Sequence, residues 1–114
     1  MLLEAFVIEK LSGIMDVPVY AEVPADYPSG AFVVIERTGS WKQNHVPGAT
    51  IAIQSYGASL LEAAQLNEDV KAAMETVSEE NEIGSIRLNS DYNFTDYTTR
   101  RYRYQAVFDI TYYD

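Results

Sequence analysis

Apolar residues at Leu3, Phe6, Val7, Leu11 and Ile14 recur at the spacing of one helical face, leaving Glu4, Glu9 and Lys10 for solvent. This predicts a first helix within Met1 to Ile14, closed by Gly13, since Asp16 and Pro18 oppose its continuation. The period then changes to two. Val17, Val19, Ala21 and Val23 alternate between Pro18 and Pro24, and proline cannot donate to a ladder, so Val17 to Val23 reads as an edge strand. Ala25 to Gly30 is turn-like, ending in Pro28-Ser29-Gly30. Ala31 to Thr38 and Thr50 to Tyr56 are β-branched, strand-forming runs. Between them, Gly39 to Ala49 reads as a long loop holding the only Trp, Trp41, and the only His, His45. A long loop of this kind is expected to be mobile or functional.

The plainest helix runs from Ser59 to roughly Glu80. Ser59 and Glu62 have the S-x-x-E spacing of a capping box. Leu60, Ala63, Ala64, Asn67, Val70, Met74 and Val77 make one face, while Glu62, Glu68, Asp69, Glu75 and Glu79 make an acidic one. The alanines 63, 64, 72 and 73 allow close approach to a sheet. Ile83 to Asn89 predicts another strand, and Ser90 to Arg100 a polar connection. In Tyr102 to Tyr113 the residues Tyr102, Tyr104, Ala106, Phe108, Ile110 and Tyr112 point one way, and mostly polar ones point the other. The order α-β-β-β-α-β-β implies an α+β two-layer sandwich in one domain, residues 1–114. Two helices would lie on one face of a mixed, mostly antiparallel sheet of about five strands.

Composition changes this picture only by exclusion. Seventeen acidic against eight basic residues give a net charge of −9, a field that repels phosphate backbones. Without cysteine there is no disulfide framework and no thiolate nucleophile. The longest apolar run, Ala31 to Ile35, is far too short to span a membrane, and Glu4 and Glu9 do not suit a signal peptide. The expectation is a soluble intracellular domain.

The candidate chemistry is sparse. His45 has no nucleophile or orienting acid in a recognisable pattern. Asp91, Asn93, Thr95 and Asp96 miss the glycine and glutamate that a twelve-residue calcium loop requires. Glu75 and Glu79, one helical turn apart, read as a solvated face. No catalytic constellation, cofactor or metal ligand set is expected. Arg100-Arg101-Tyr102-Arg103-Tyr104 interleaves basic and aromatic residues, but strand alternation sends Arg101 and Arg103 to the face opposite Tyr102 and Tyr104. Such a basic row balances local acids or meets an acidic neighbour. Of nine tyrosines, six (Tyr92, Tyr97, Tyr102, Tyr104, Tyr112, Tyr113) crowd the last quarter, more than a small core accommodates. Trp41, Lys42, His45, Tyr97, Arg100, Arg101, Arg103 and Tyr113 are therefore the candidate contact residues of an assembly surface.

Val17-Pro18-Val19-Tyr20-Ala21-Glu22-Val23-Pro24, followed by Phe32-Val33-Val34-Ile35-Glu36-Arg37-Thr38-Gly39, resembles the tail terminator (tail completion) proteins of long-tailed phages and prophages. Ala58-Ser59-Leu60-Leu61-Glu62-Ala63-Ala64, Tyr92-Asn93-Phe94 and Arg103-Tyr104-Gln105 extend the likeness over nearly the whole chain. The resemblance implies a structural role without enzyme activity or cofactor. Members form a ring, usually a hexamer, on the head-proximal end of the tail tube; the ring ends tube polymerisation and offers a surface to the head-side connector. Location would be the host cytoplasm during assembly and then the virion tail. Gly39 to Ala49 is then expected to order against a neighbour or the tube, and Arg100, Arg101 and Arg103 to meet acids of an adjacent protein. The alternatives are another head–tail joining protein, of the stopper or neck kind, and a small-molecule-binding α+β regulatory module.

Overall fold

Two periodicities divide the chain. The computed structural model describes residues 1–114, ordered α1 (Leu3–Ile14), β1 (Val19–Tyr20), β2 (Phe32–Gln43), β3 (Val46–Gly57), α2 (Leu60–Val77), β4 (Ile83–Asn93) and β5 (Tyr102–Tyr112). The strands form one sheet in the order β1-β2-β3-β5-β4. β1 is parallel to β2, and every other pairing is antiparallel. This is the expected α+β sandwich, with both helices packed on one face. Neither helix is long and apolar enough to cross a membrane.

The core lies between the layers. Leu3, Val7 and Leu11 of α1 and Leu66, Val70, Ala73, Met74 and Val77 of α2 meet Val33, Ile35, Ile51, Ile53, Ala106, Phe108 and Ile110 of the sheet. Each large aliphatic side chain so buried contributes about 1.5–3 kcal/mol relative to exposure. Leu66 and Ala73 join the buried face of α2, whereas Leu60 is only partly covered. Gly57, where β3 turns into α2, must be glycine: a Cβ there would lie 2.6 Å from the Ala63 backbone nitrogen.

Several boundaries differ from expectation. The first helix runs through Gly13 to Ile14, and Ile14 is exposed. Of Val17 to Val23 only Val19–Tyr20 is strand, still at the sheet edge as its prolines require. β4 continues past Asn89 to Asn93 by absorbing register shifts at Ile83/Ser85 and Leu88/Ser90.

The largest correction concerns Gly39 to Ala49, which is no loop. β2 and β3 run on as paired strands to Gln43↔Val46, so the connection is only Asn44-His45. Both residues have positive φ, 52° and 66°, the backbone of a type I′ turn. Pro47 does not break the arm. The two-residue turn makes Gln43 and Val46 the hydrogen-bonded pair, so Lys42↔Pro47 is the non-bonded pair and the proline nitrogen faces away from β2. On that side pairing with β5 has already ended, at Gly48↔Thr111.

The capping box is present with one shift. Ser59 Oγ accepts from the Glu62 N–H at 3.1 Å, while the Glu62 carboxylate accepts from the Ala58 N–H at 2.8 Å rather than from Ser59. Replacing Ser59 with alanine is expected to lower unfolding stability by about 1 kcal/mol, read as a lower urea midpoint at unchanged slope.

Candidate assembly surfaces

The β2–β3 hairpin forms an arm. Its residues from Glu36 to His45 are exposed, and the molecule measures 43 × 25 × 25 Å. Trp41 lies opposite Gly48, and a Cβ on Gly48 would come within 2.3 Å of the indole, so the ring rests directly on the glycine backbone. Trp41 keeps 39% of its surface exposed while covering Gly48 completely enough to bury it. The arm thus has an apolar side chain of fixed orientation, with Lys42 on the opposite face and His45 at the tip.

The sheet face away from the helices is polar at its centre. Gln54 Nε2 donates to Gln105 Oε1 at 2.9 Å, and Gln105 Nε2 donates to the Tyr92 hydroxyl. Thr50 and Asn89 both donate to Asp109, at 2.9 and 3.0 Å. These bonds run across β3, β5 and β4 and satisfy side chains that the strand alternation sends to this side.

One end of this face holds an aromatic cluster. Phe32 and Tyr56 stack at 4.5 Å, and Tyr20 and Tyr27 meet Phe32 edge-on. Arg101 lies 4.2 Å over Tyr27, and Arg103 lies 4.5 Å over Phe94. Arg103 also donates from Nε to the Phe94 carbonyl at 2.7 Å and from Nη1 to the Tyr56 hydroxyl at 3.0 Å. Alternation holds, with Tyr102 and Tyr104 on the other face. Tyr56 of β3, together with Tyr27 and Phe94 from the connections, nonetheless supplies the platform that β5 alone lacks. Arg103 is therefore a structural clamp rather than part of a free basic row. Burial raises the Tyr27 phenol pKa, and nearby Arg101 pulls against that shift.

Arg100 is separate. It sits in the β4–β5 turn at φ 55° and is exposed. That turn is pinned by Asp96, whose carboxylate accepts from the backbone N–H of Thr98 and Thr99. Tyr97 at its tip is 63% exposed although its hydroxyl accepts from Asn93, and Tyr113 is 55% exposed. The candidate contact residues thus separate into the arm (Trp41, Lys42, His45), the β4–β5 turn (Tyr97, Arg100) and the aromatic clamp (Arg101, Arg103), with Tyr113 just past β5.

Sequence reasoning missed the groove between α2 and β4. It has a volume of about 490 Å³, with Met74, Ile86, Leu88 and Phe108 among its apolar lining and Glu68, Lys71 and Glu75 among its charged residues. Leu88 is 43% exposed. Lys71 is engaged by Glu68 and Asp91, and hydrogen bonding to Glu68, the largest effect, raises its pKa. The side-chain ion pairs of the chain use Lys10, Arg37 and Lys71; Lys42, Arg87, Arg100, Arg101 and Arg103 form none. The alternation of Ile86 and Leu88 was a visible signal, but only the placement of α2 reveals that the helix leaves them partly uncovered.

No protein-family model matches the chain, and no curated protein matches it significantly.

Two measurements test this geometry. Gly48→Ala is expected to displace the indole and cost about 1–3 kcal/mol, seen as a lower denaturation midpoint and a shifted emission of the single tryptophan. In the β4–β5 turn, the Thr99 hydroxyl and the two backbone N–H groups lower the Asp96 pKa. A depressed carboxylate contributes order above its unfolded pKa and loses it as pH falls through the folded value. The Thr98 and Thr99 amide resonances should therefore titrate below the ordinary aspartate range, and Asp96→Asn should abolish that titration.

Proposed function

We propose that this chain is a structural assembly protein of the tail terminator kind. It closes on copies of itself as a ring, hexameric in the assembled state, on the head-proximal end of a phage tail tube. There it ends tube polymerisation and meets the head-side connector. The observation that supports this reading is the pair of unlike free strand edges at opposite sides of the sheet. Beyond its short pairing with β1, β2 has a free edge that leads into the arm, whereas β4 is the free edge on the other side. Because β2, β3, β5 and β4 alternate in direction, the two edges run oppositely. Copies placed side by side in the same orientation continue the antiparallel alternation, and unlike surfaces in contact form the heterologous interface that a ring requires.

The charge agrees with the role. A chain of −9 gives a ring whose field repels a DNA duplex in transit instead of holding it. Assembly would take place in the host cytoplasm, leaving the protein in the virion tail.

The test is molar mass by light scattering, alone and with tail-tube protein from the same source. A ring, or a monomer that caps and shortens growing tubes, is expected. A monomer indifferent to tubes would overturn the terminator role, and binding to the head-side connector alone would assign it to the joining proteins.

A further inference from the structure

We infer that the groove between α2 and β4 receives the β2–β3 arm of a second copy of this chain. The inference rests on the self-assembly proposed above and names the contact that makes it. The groove offers apolar surface at Ile86, Leu88 and Met74 beneath an acidic rim at Glu68 and Glu75. Residues 59–82 carry seven carboxylates against Lys71 alone, a local net charge of −6. The arm has the complementary character. Past Glu36 at its base, residues 37–50 contain Arg37, Lys42 and His45 and no carboxylate. Arg37 is paired with Glu4, whereas Lys42 is exposed and forms no ion pair within its own chain. Pro47, its cross-strand partner, adds partly exposed apolar surface on the same side, the side on which Ala49 joins the core under the helices.

Position favours a neighbour over the same chain. The arm grows from β2 and β3, while the groove borders β4 at the far edge, with β5 between. Ile86 and Leu88 stand in register with Ile110 and Phe108, which pair in turn with Ala49 and Ile51 near the root of the arm. A copy set alongside in the same orientation therefore brings its arm to the level of the groove. Charge attraction between Lys42 and the rim would set the register and speed the encounter, while Pro47 and the methylene stem of Lys42 against Leu88 would supply the apolar contact.

The chain has no cysteine, so disulfide trapping reports only introduced pairs. A Ser40→Cys copy and an Ala72→Cys copy, changed at exposed positions that leave Lys42 and the acidic rim intact, are mixed and oxidised. The expected product is a disulfide joining the two, formed by neither variant alone, with a yield that falls several-fold from 50 mM to 500 mM salt. A chain carrying both substitutions should then give a ladder beyond the dimer. As a second reading, Lys42→Glu should weaken association about tenfold, and a partner carrying Glu75→Lys should restore it. Oligomers that show neither trapping nor charge rescue would overturn the arm-in-groove contact while leaving the ring in place. A disulfide within either single variant, or a ladder that stops at the dimer, would overturn its head-to-tail form. A protein that stays monomeric with and without tube protein would overturn both the contact and the ring.

Discussion

The seating of α2 across β3 and β5 governs the rest of the molecule. Small residues make it possible: Ala63 and Ala73 are buried in the interface, and Gly57 leaves room for the Ala63 backbone as the chain enters the helix. The same close seating has a lateral cost. A helix centred on the inner strands covers the apolar row of β5 but stops short of β4, so Ile86 and Leu88 remain at the lip of a groove. Core and open groove are two results of one placement.

Much of the architecture was legible because amphipathic periodicity and burial coincide. The Ala106, Phe108, Ile110 and Tyr112 row of β5, the Ser59 cap and the edge position of β1 could all be read from spacing and residue type. The arm was not. Asn44-His45 lacks the glycine that usually announces a type I′ turn, and Pro47 and Gly48 resemble loop residues until the pairing geometry shows how each is accommodated. The candidate surface was legible residue by residue but not as a constellation. Arg103 meets Tyr56 across 47 positions of sequence and Phe94 across a hairpin, contacts that no local pattern encodes.

The resulting molecule is divided electrostatically. Helix α2 and the turn after it hold most of the net negative charge, and the basic side chains without ion-pair partners lie on the arm, β4 and the β4–β5 region. On the sheet's open face, polar side chains bond to one another across strands, and Arg101 and Arg103 are occupied by aromatic rings. Lys42 and Arg100 remain the cations whose side chains reach outward from tips of the structure. Such a distribution disfavours contact between like faces, where the same sign of charge would meet itself.

The position of β5 has a kinetic consequence. Hairpins β2–β3 and β4–β5 are both local in sequence, whereas the β3–β5 pairing that joins them spans α2 and closes a long loop. Until that pairing forms, α2 has no Phe108 or Ile110 to rest on, and the facing edges of β3 and β5 are unpaired. The sheet is therefore two local hairpins joined along one long-range seam, and the loop-closure entropy of the fold is concentrated in that seam.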